Sequence, residues 1–220
     1  MEDIQHSNQT SREIYLFFVT NKKGSDKMGK YIVLLRGVNI SGKNKISMPE
    51  LKGKLSKNGY KNVFTYLNSG NVILESEETK EREISNNVSE IIKKEFDLDI
   101  PVFTIKVSDL KELLENSPTW WNTSDKNIYD NIIFVMPPLT YEEVYKALGE
   151  PDSNLEKVKE YKNNIFWSYD LKNYRKSIWW VKTASTSIKD SITIRTANTM
   201  TKLLNISLDN NWKLKKLDLF

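Results

Sequence analysis

Five apolar residues in a row, Tyr31, Ile32, Val33, Leu34 and Leu35, precede a stretch of twelve in which only Val38, Ile40 and Ile46 are apolar. The run predicts a strand and the polar stretch an exposed connection. Behind it Met48, Leu51 and Leu55 form one helical stripe, with Ser47 as N-cap, Glu50 completing a capping box, and Asn58 and Gly59 as the stop. Residues 60–67 and 71–75 read as strands joined by Asn68, Ser69 and Gly70, the glycine supplying the positive φ a tight hairpin needs. Ile84, Val88, Ile91, Ile92 and Phe96 mark a second helix, and Pro101 opens a last strand over 102–106. The order βαββαβ suits a ferredoxin-like unit, a four-stranded antiparallel sheet backed by two helices. Its first two strands run parallel through a right-handed crossover, so the 36–45 connection and the 68–71 turn are expected at one end.

The pattern then changes. A short helix with Leu110, Leu113 and Leu114 is closed by Pro118, and Trp120 and Trp121 lead into a polar connector. A strand over 132–136, Pro137 and Pro138, and a helix boxed by Thr140 and Glu143, with Val144, Ala147 and Leu148 on one face and Gly149 as its stop, open the second half. Residues 155–161 and 165–169 predict a hairpin around Asn163 and Asn164. Residues 178–181 are ambiguous, 191–194 predict a strand, and Met200, Leu203 and Leu204 a final helix. The expected organisation is α+β: an N-terminal extension over 1–27, a ferredoxin-like domain over 28–106, a helical connector over 107–127 and a second, smaller α+β domain over 128–220, readable as a degenerate copy of the first. Met28 reads as an alternative start, and the apolar residues 14–19 before it as an added edge strand.

Composition narrows the chemistry. The 220 residues suffice for one large or two small domains with a real core. With no cysteine, disulfides, thiol nucleophiles and thiolate metal sites fall away, which favours the cytoplasm. His6 is the single histidine, so triads and histidine metal sites have no candidate in the body of the chain. No stretch approaches the ~20 apolar residues of a membrane span. The formal charge is +4, but residues 30–61 hold eight cations against Glu50 alone, a local +7.

Residues 34–48 and 66–74 resemble the LLRGINVGGKNKVPM and YIQSGNVVF stretches of a bacterial domain-of-unknown-function family, number sixteen ninety-seven. Thr193, Arg195, Asn198, Thr199, Thr201, Lys202, Leu203 and Leu204 partly keep a third stretch, TTRNWNTVTKLLEL, while Thr196 and Ala197 depart from its Asn-Trp. The resemblance covers roughly residues 31–204. It implies two α+β units, one ferredoxin-like, and brings no established activity or cofactor.

The candidate binding residues are Arg36, Gly37, Asn39, Gly42, Lys43, Asn44, Lys45, Ser69, Gly70, Asn71, Arg195 and Asn198. Glycine and asparagine tolerate positive φ, and the cations supply charge-assisted donors, a combination suited to an anion. From Gly37 to Lys43 the spacing is that of a phosphate-binding loop, but Asn44 stands where the magnesium hydroxyl belongs and the helix starts too late. The expected partner is therefore nucleic acid or a small phosphorylated ligand, with no membrane and no cofactor. An enzyme on a small anionic metabolite and a non-catalytic interaction module are the alternatives. Val72, Ile73 and Leu74 give no stacking aromatics, so nucleic acid would meet loops, not the sheet face. The tryptophans are assigned mainly to cores. Glu142 and Glu143, and Asp97 and Asp99, are assigned to caps and turns.

Overall fold

The computed structural model describes residues 28–123 and 125–209. The extension before Met28, with its expected strand, lies outside the described residues. The elements are β1 (Gly29–Leu35), α1 (Met48–Lys57), β2 (Lys61–Tyr66), β3 (Asn71–Ser76), α2 (Glu81–Phe96), β4 (Val102–Lys106) and α3 (Val107–Glu115), then β5 (Ile128–Val135), α4 (Tyr141–Leu148), β6 (Glu156–Tyr161), β7 (Asn164–Asp170), α5 (Ile178–Thr183), β8 (Ile192–Thr196) and α6 (Ala197–Leu208). One order of elements is therefore laid down twice. The two sheets, β2-β3-β1-β4 and β6-β7-β5-β8, are antiparallel and identical in topology. Both halves are ferredoxin-like. In the second half this topology is obscured in the sequence because α5, the counterpart of the 16-residue α2, has only 6 residues.

Central strands that are apolar at every position need cover on both faces. Tyr31, Val33 and Leu35 point to α1 and α2, where Leu51, Leu55, Ile84, Val88 and Ile92 close a first core. Ile32, Leu34 and Ile73 point the other way and meet Ile132, Phe134 and Phe166 of the second sheet, together with α3 and α6. The rings of Phe103 and Phe134 lie 5.1 Å apart across this middle layer. On the far side Ile133, Val135, Ile165 and Trp167 pack under α4 and α5. Each fully buried Leu, Ile or Val in these layers contributes on the order of 1.5–3 kcal/mol. The sheet face that an RNA-recognition module would offer to bases is thus the shared core between the halves.

Several local expectations shift. The second hairpin turns at Lys162 and Asn163, both left-handed, and Asn164 already belongs to β7. Residues 178–181 are helical because the Ser177 hydroxyl accepts from Trp180 N–H and the buried Glu156 carboxylate accepts from the N–H groups of Ile178 and Trp179. Thr140 and Glu143 form the full reciprocal capping box, whereas Ser47 caps α1 in one direction, through Glu50 N–H. Trp121, Trp167 and Trp179 are buried, but Trp180 is 41% exposed. Among the described residues no helix is long and apolar enough to cross a membrane.

Candidate functional site

The 36–47 connection folds into a small finger. Lys43 N–H donates to Ile40 O at 2.9 Å and Asn39 N–H to Asn44 O at 3.1 Å. Ser41 and Gly42 between them both have positive φ, 50° and 77°, the signature of a type I′ turn. The left-handed residues the sequence supplies therefore build a two-residue hairpin tip, and Ile40 beside it is 58% exposed.

Side chains lock the base of the finger. Asn39 Nδ2 donates to Ile46 O (2.9 Å) and Asn68 O (2.8 Å), and its Oδ1 accepts from Ile46 N–H. Asn44 Nδ2 donates to Gly37 O at 3.1 Å. Leu35 N–H donates to Gly70 O at 2.8 Å, so the finger and the 67–70 turn share one end of the sheet, as the crossover rule requires. Gly70 has φ 77°, and a Cβ there would stand 2.6 Å from Val38 Cγ2 and 2.7 Å from Leu35 Cβ. Glycine is required at this position for its space as well as its backbone.

Two arginines cross between the halves. Arg36, at the end of β1, donates to Ile192 O at 2.7 Å and lies 3.9 Å from the exposed Asp190 carboxylate. In return Arg195, in β8, donates from Nη2 to Leu35 O (2.6 Å), Ser69 O and Gly70 O, and from Nε to Asn71 Oδ1 (2.6 Å). Its Nη1 donates to Thr193 Oγ1 and Ile194 O. The fully buried Asn71 completes the network by donating to Tyr66 O and Ser69 Oγ. Burial, with the charge of Arg36 adding to it, lowers the Arg195 pKa to about 10, and burial likewise lowers that of Arg36 against the opposing pull of Asp190. Both stay charged at neutral pH, which makes the joint between the halves electropositive.

The candidate residues thus separate into two groups. Arg36, Gly37, Asn39, Asn44, Gly70, Asn71 and Arg195 are brought together and have their polar atoms engaged in holding the finger and the halves in place. Gly42, Lys43 and Lys45 are exposed around them, and Ser69, exposed too, belongs to both groups because its Oγ accepts from Asn71 and its carbonyl from Arg195. Neither Lys43 nor Lys45 has a carboxylate within ion-pair distance among the described residues. Lys45 edges an open groove of about 560 Å³ with Asn39, Ile46, Met48 and Asn68. Asn198 sits exposed on the first turn of α6, whose cap is Thr196, accepting from Thr199 N–H. Lys54, one of the cations of the basic stretch, is engaged by Glu95 at 2.5 Å. The carboxylate pairs take part in local structure: Glu143 caps α4, Asp97 ends α2 in a left-handed conformation, and Asp99 pairs with Lys93. Among the described residues no cluster of metal-ligating side chains occurs.

Fold and site together define a duplicated ferredoxin-like α+β protein in which one half bears a cation-tipped finger. The chain belongs to the family described as "Protein of unknown function (DUF1697)", whose model matches residues 28–166. A solved structure, described as a conserved bacterial protein SP0830 from Streptococcus pneumoniae, is similar at 27% identity and a TM-score of 0.68, covering 82% of this chain and 99% of its own. Among curated proteins nothing matches.

Proposed function

We propose that the finger binds a phosphate-bearing partner, with nucleic acid the leading class. What carries the reading is that Lys43 and Lys45 stand exposed, with no carboxylate partner among the described residues, on a loop whose base is fixed by the hydrogen bonds of Asn39 and Asn44. The fixed loop base spares the cost of ordering backbone when a ligand arrives, so only the lysine side chains have to be ordered by their charge-assisted bonds to phosphate. The electropositive joint behind the finger adds to the field an incoming phosphate meets.

Salt dependence tests this. Affinity for a labelled oligonucleotide through several phosphates falls steeply between low and moderate salt, and replacing Lys43 and Lys45 by Ala lowers both affinity and slope. A steep salt dependence unchanged in the double variant would remove the finger from the interaction, and a shallow slope with a small phosphate as the bound species would point to a metabolite instead.

A further inference from the structure

Residues 171–189 contain five cations, Lys172, Arg175, Lys176, Lys182 and Lys189, and no acidic residue. This segment leaves β7, forms α5 and ends one residue before Asp190, whose carboxylate lies beside Arg36 at the base of the finger. The second basic stretch of the chain thus runs up to the first. An aromatic row lies beside it, with Tyr129 of β5 against Tyr169 of β7 (5.4 Å between ring centres), Tyr169 against Trp180 (5.4 Å) and Trp180 against Tyr174 (5.1 Å), and Arg175 over the Tyr174 ring at 5.6 Å. Tyr129 and Tyr169 pair at the start of β5, whereas Arg36 docks on Ile192 opposite Val135 at its end, so residues 181–189 bridge about 20 Å between the row and the finger. Tyr129 is 39% and Trp180 41% exposed, while Tyr169 beneath them is buried. Exposed rings packed on buried ones are held in place by the core, so they meet a ligand already ordered.

We propose that the face built by residues 171–189 extends the finger's site and takes single-stranded nucleic acid, with Trp180 meeting a base while Arg175, Lys176 and Lys189 follow the phosphates. The inference rests on the finger reading and adds to it the form of the partner. Charge complementarity selects a polyanion over a neutral partner, and continuity through Arg36 selects one long enough to reach both basic stretches. Cations interleaved with exposed aromatics are the combination single strands require, because every unpaired base offers an apolar face. A duplex keeps its bases stacked inside and would leave Trp180 without a role.

The test is anisotropy titration of the full chain with a labelled twenty-nucleotide uridine oligomer and with a duplex of equal length, over a range of salt. Arg175→Ala/Lys176→Ala alters two exposed side chains; it is expected to weaken binding of the single strand and to reduce the salt slope by roughly 0.7 for each phosphate no longer neutralised. Trp180→Ala lowers affinity roughly tenfold with the slope unchanged, the size of one base stacked on an aromatic ring, and Trp180→Phe, which retains an aromatic ring, keeps most of the affinity. Lys157→Ala/Lys159→Ala on β6 removes the same charge elsewhere and leaves binding as in the wild type. If the Arg175/Lys176 variant binds normally while the Lys43/Lys45 variant does not, this inference fails and the finger reading stands. If no variant matters, or the oligomer does not bind at all, both fail. Equal affinity for duplex and single strand, or a Trp180-dependent affinity for phosphatidylserine vesicles with none for the oligomer, overturns the assignment.

Discussion

Between β1 and α1 the first half places twelve residues, residues 36–47, whereas between β5 and α4 the second half places five, residues 136–140. The strand order around both connections is the same, and both return the chain to a helix over the same face of the sheet. The short version shows that closing the unit does not require a finger. The turns beside them differ in the same direction, four residues at 67–70 against the two-residue turn of Lys162 and Asn163. In the second half Asn163 bonds Leu139 O and Tyr141 N–H, a direct side-chain tie between hairpin and first connection. In the first half Asn39 makes the equivalent tie to Asn68 O from a longer loop. The first half thus keeps the tie that the scaffold needs and adds a projecting tip that carries Lys43.

This contrast can be broken by substitutions of graded effect. Gly70→Val is the largest, because the new side chain meets Val38 and Leu35 and takes a left-handed backbone; the expected loss is about 4 kcal/mol, summed from overpacking and backbone strain, and is read by denaturant unfolding. Near-native stability would mean that the 67–70 turn yields freely and does not hold the finger. Arg195→Ala leaves Leu35 O and Asn71 Oδ1 without their donor at the joint, at a cost of roughly 3 kcal/mol, with Arg195→Lys recovering only part of it. A loss below about 0.5 kcal/mol would show that the halves do not depend on this crossing.

Gly42→Ala costs only about 1 kcal/mol, since its φ is 77° but nothing lies within 4 Å of the added methyl. Gly70→Ala set beside Gly42→Ala separates packing from backbone strain, because the same methyl is added at two glycines with the same φ. Lys43→Ala/Lys45→Ala is the smallest, no more than about 0.5 kcal/mol in a thermal melt, because both side chains are exposed. A larger destabilisation would place these lysines in the scaffold.

The sequence exposes the first half well and the second half poorly, for a physical reason. Periodic helices such as α2, with Ile84, Val88 and Ile92 on its buried face, announce themselves, while the six residues of α5 are too few to show a period. The local finger is legible in the same way, because its glycines and asparagines are dictated by the turn they occupy. The bonds of Arg36 to Ile192 O and of Arg195 to Leu35 O are not, since partners 156 and 160 residues apart leave no spacing to read. Arg195 and Asn71 are ligand candidates in the sequence, and their donors and acceptors are occupied by the protein itself. The exposure of Trp180 beside the buried Trp179 likewise follows from which face α5 turns to the core, which two adjacent tryptophans do not reveal.

The proposed partner is expected to meet the finger and the 171–189 face, and not the joint beneath them. Amide chemical-shift mapping of the isotope-labelled chain during titration with the uridine oligomer tests this most directly. Saturable shifts are expected at Ser41, Gly42, Lys43 and Lys45, and on the second face at Arg175, Lys176 and Trp180, with little change at Asn71 and the Leu34 core. Shifts that spare residues 40–45 and concentrate elsewhere, such as the cleft lined by Phe103, Glu112 and Lys162, would contradict it.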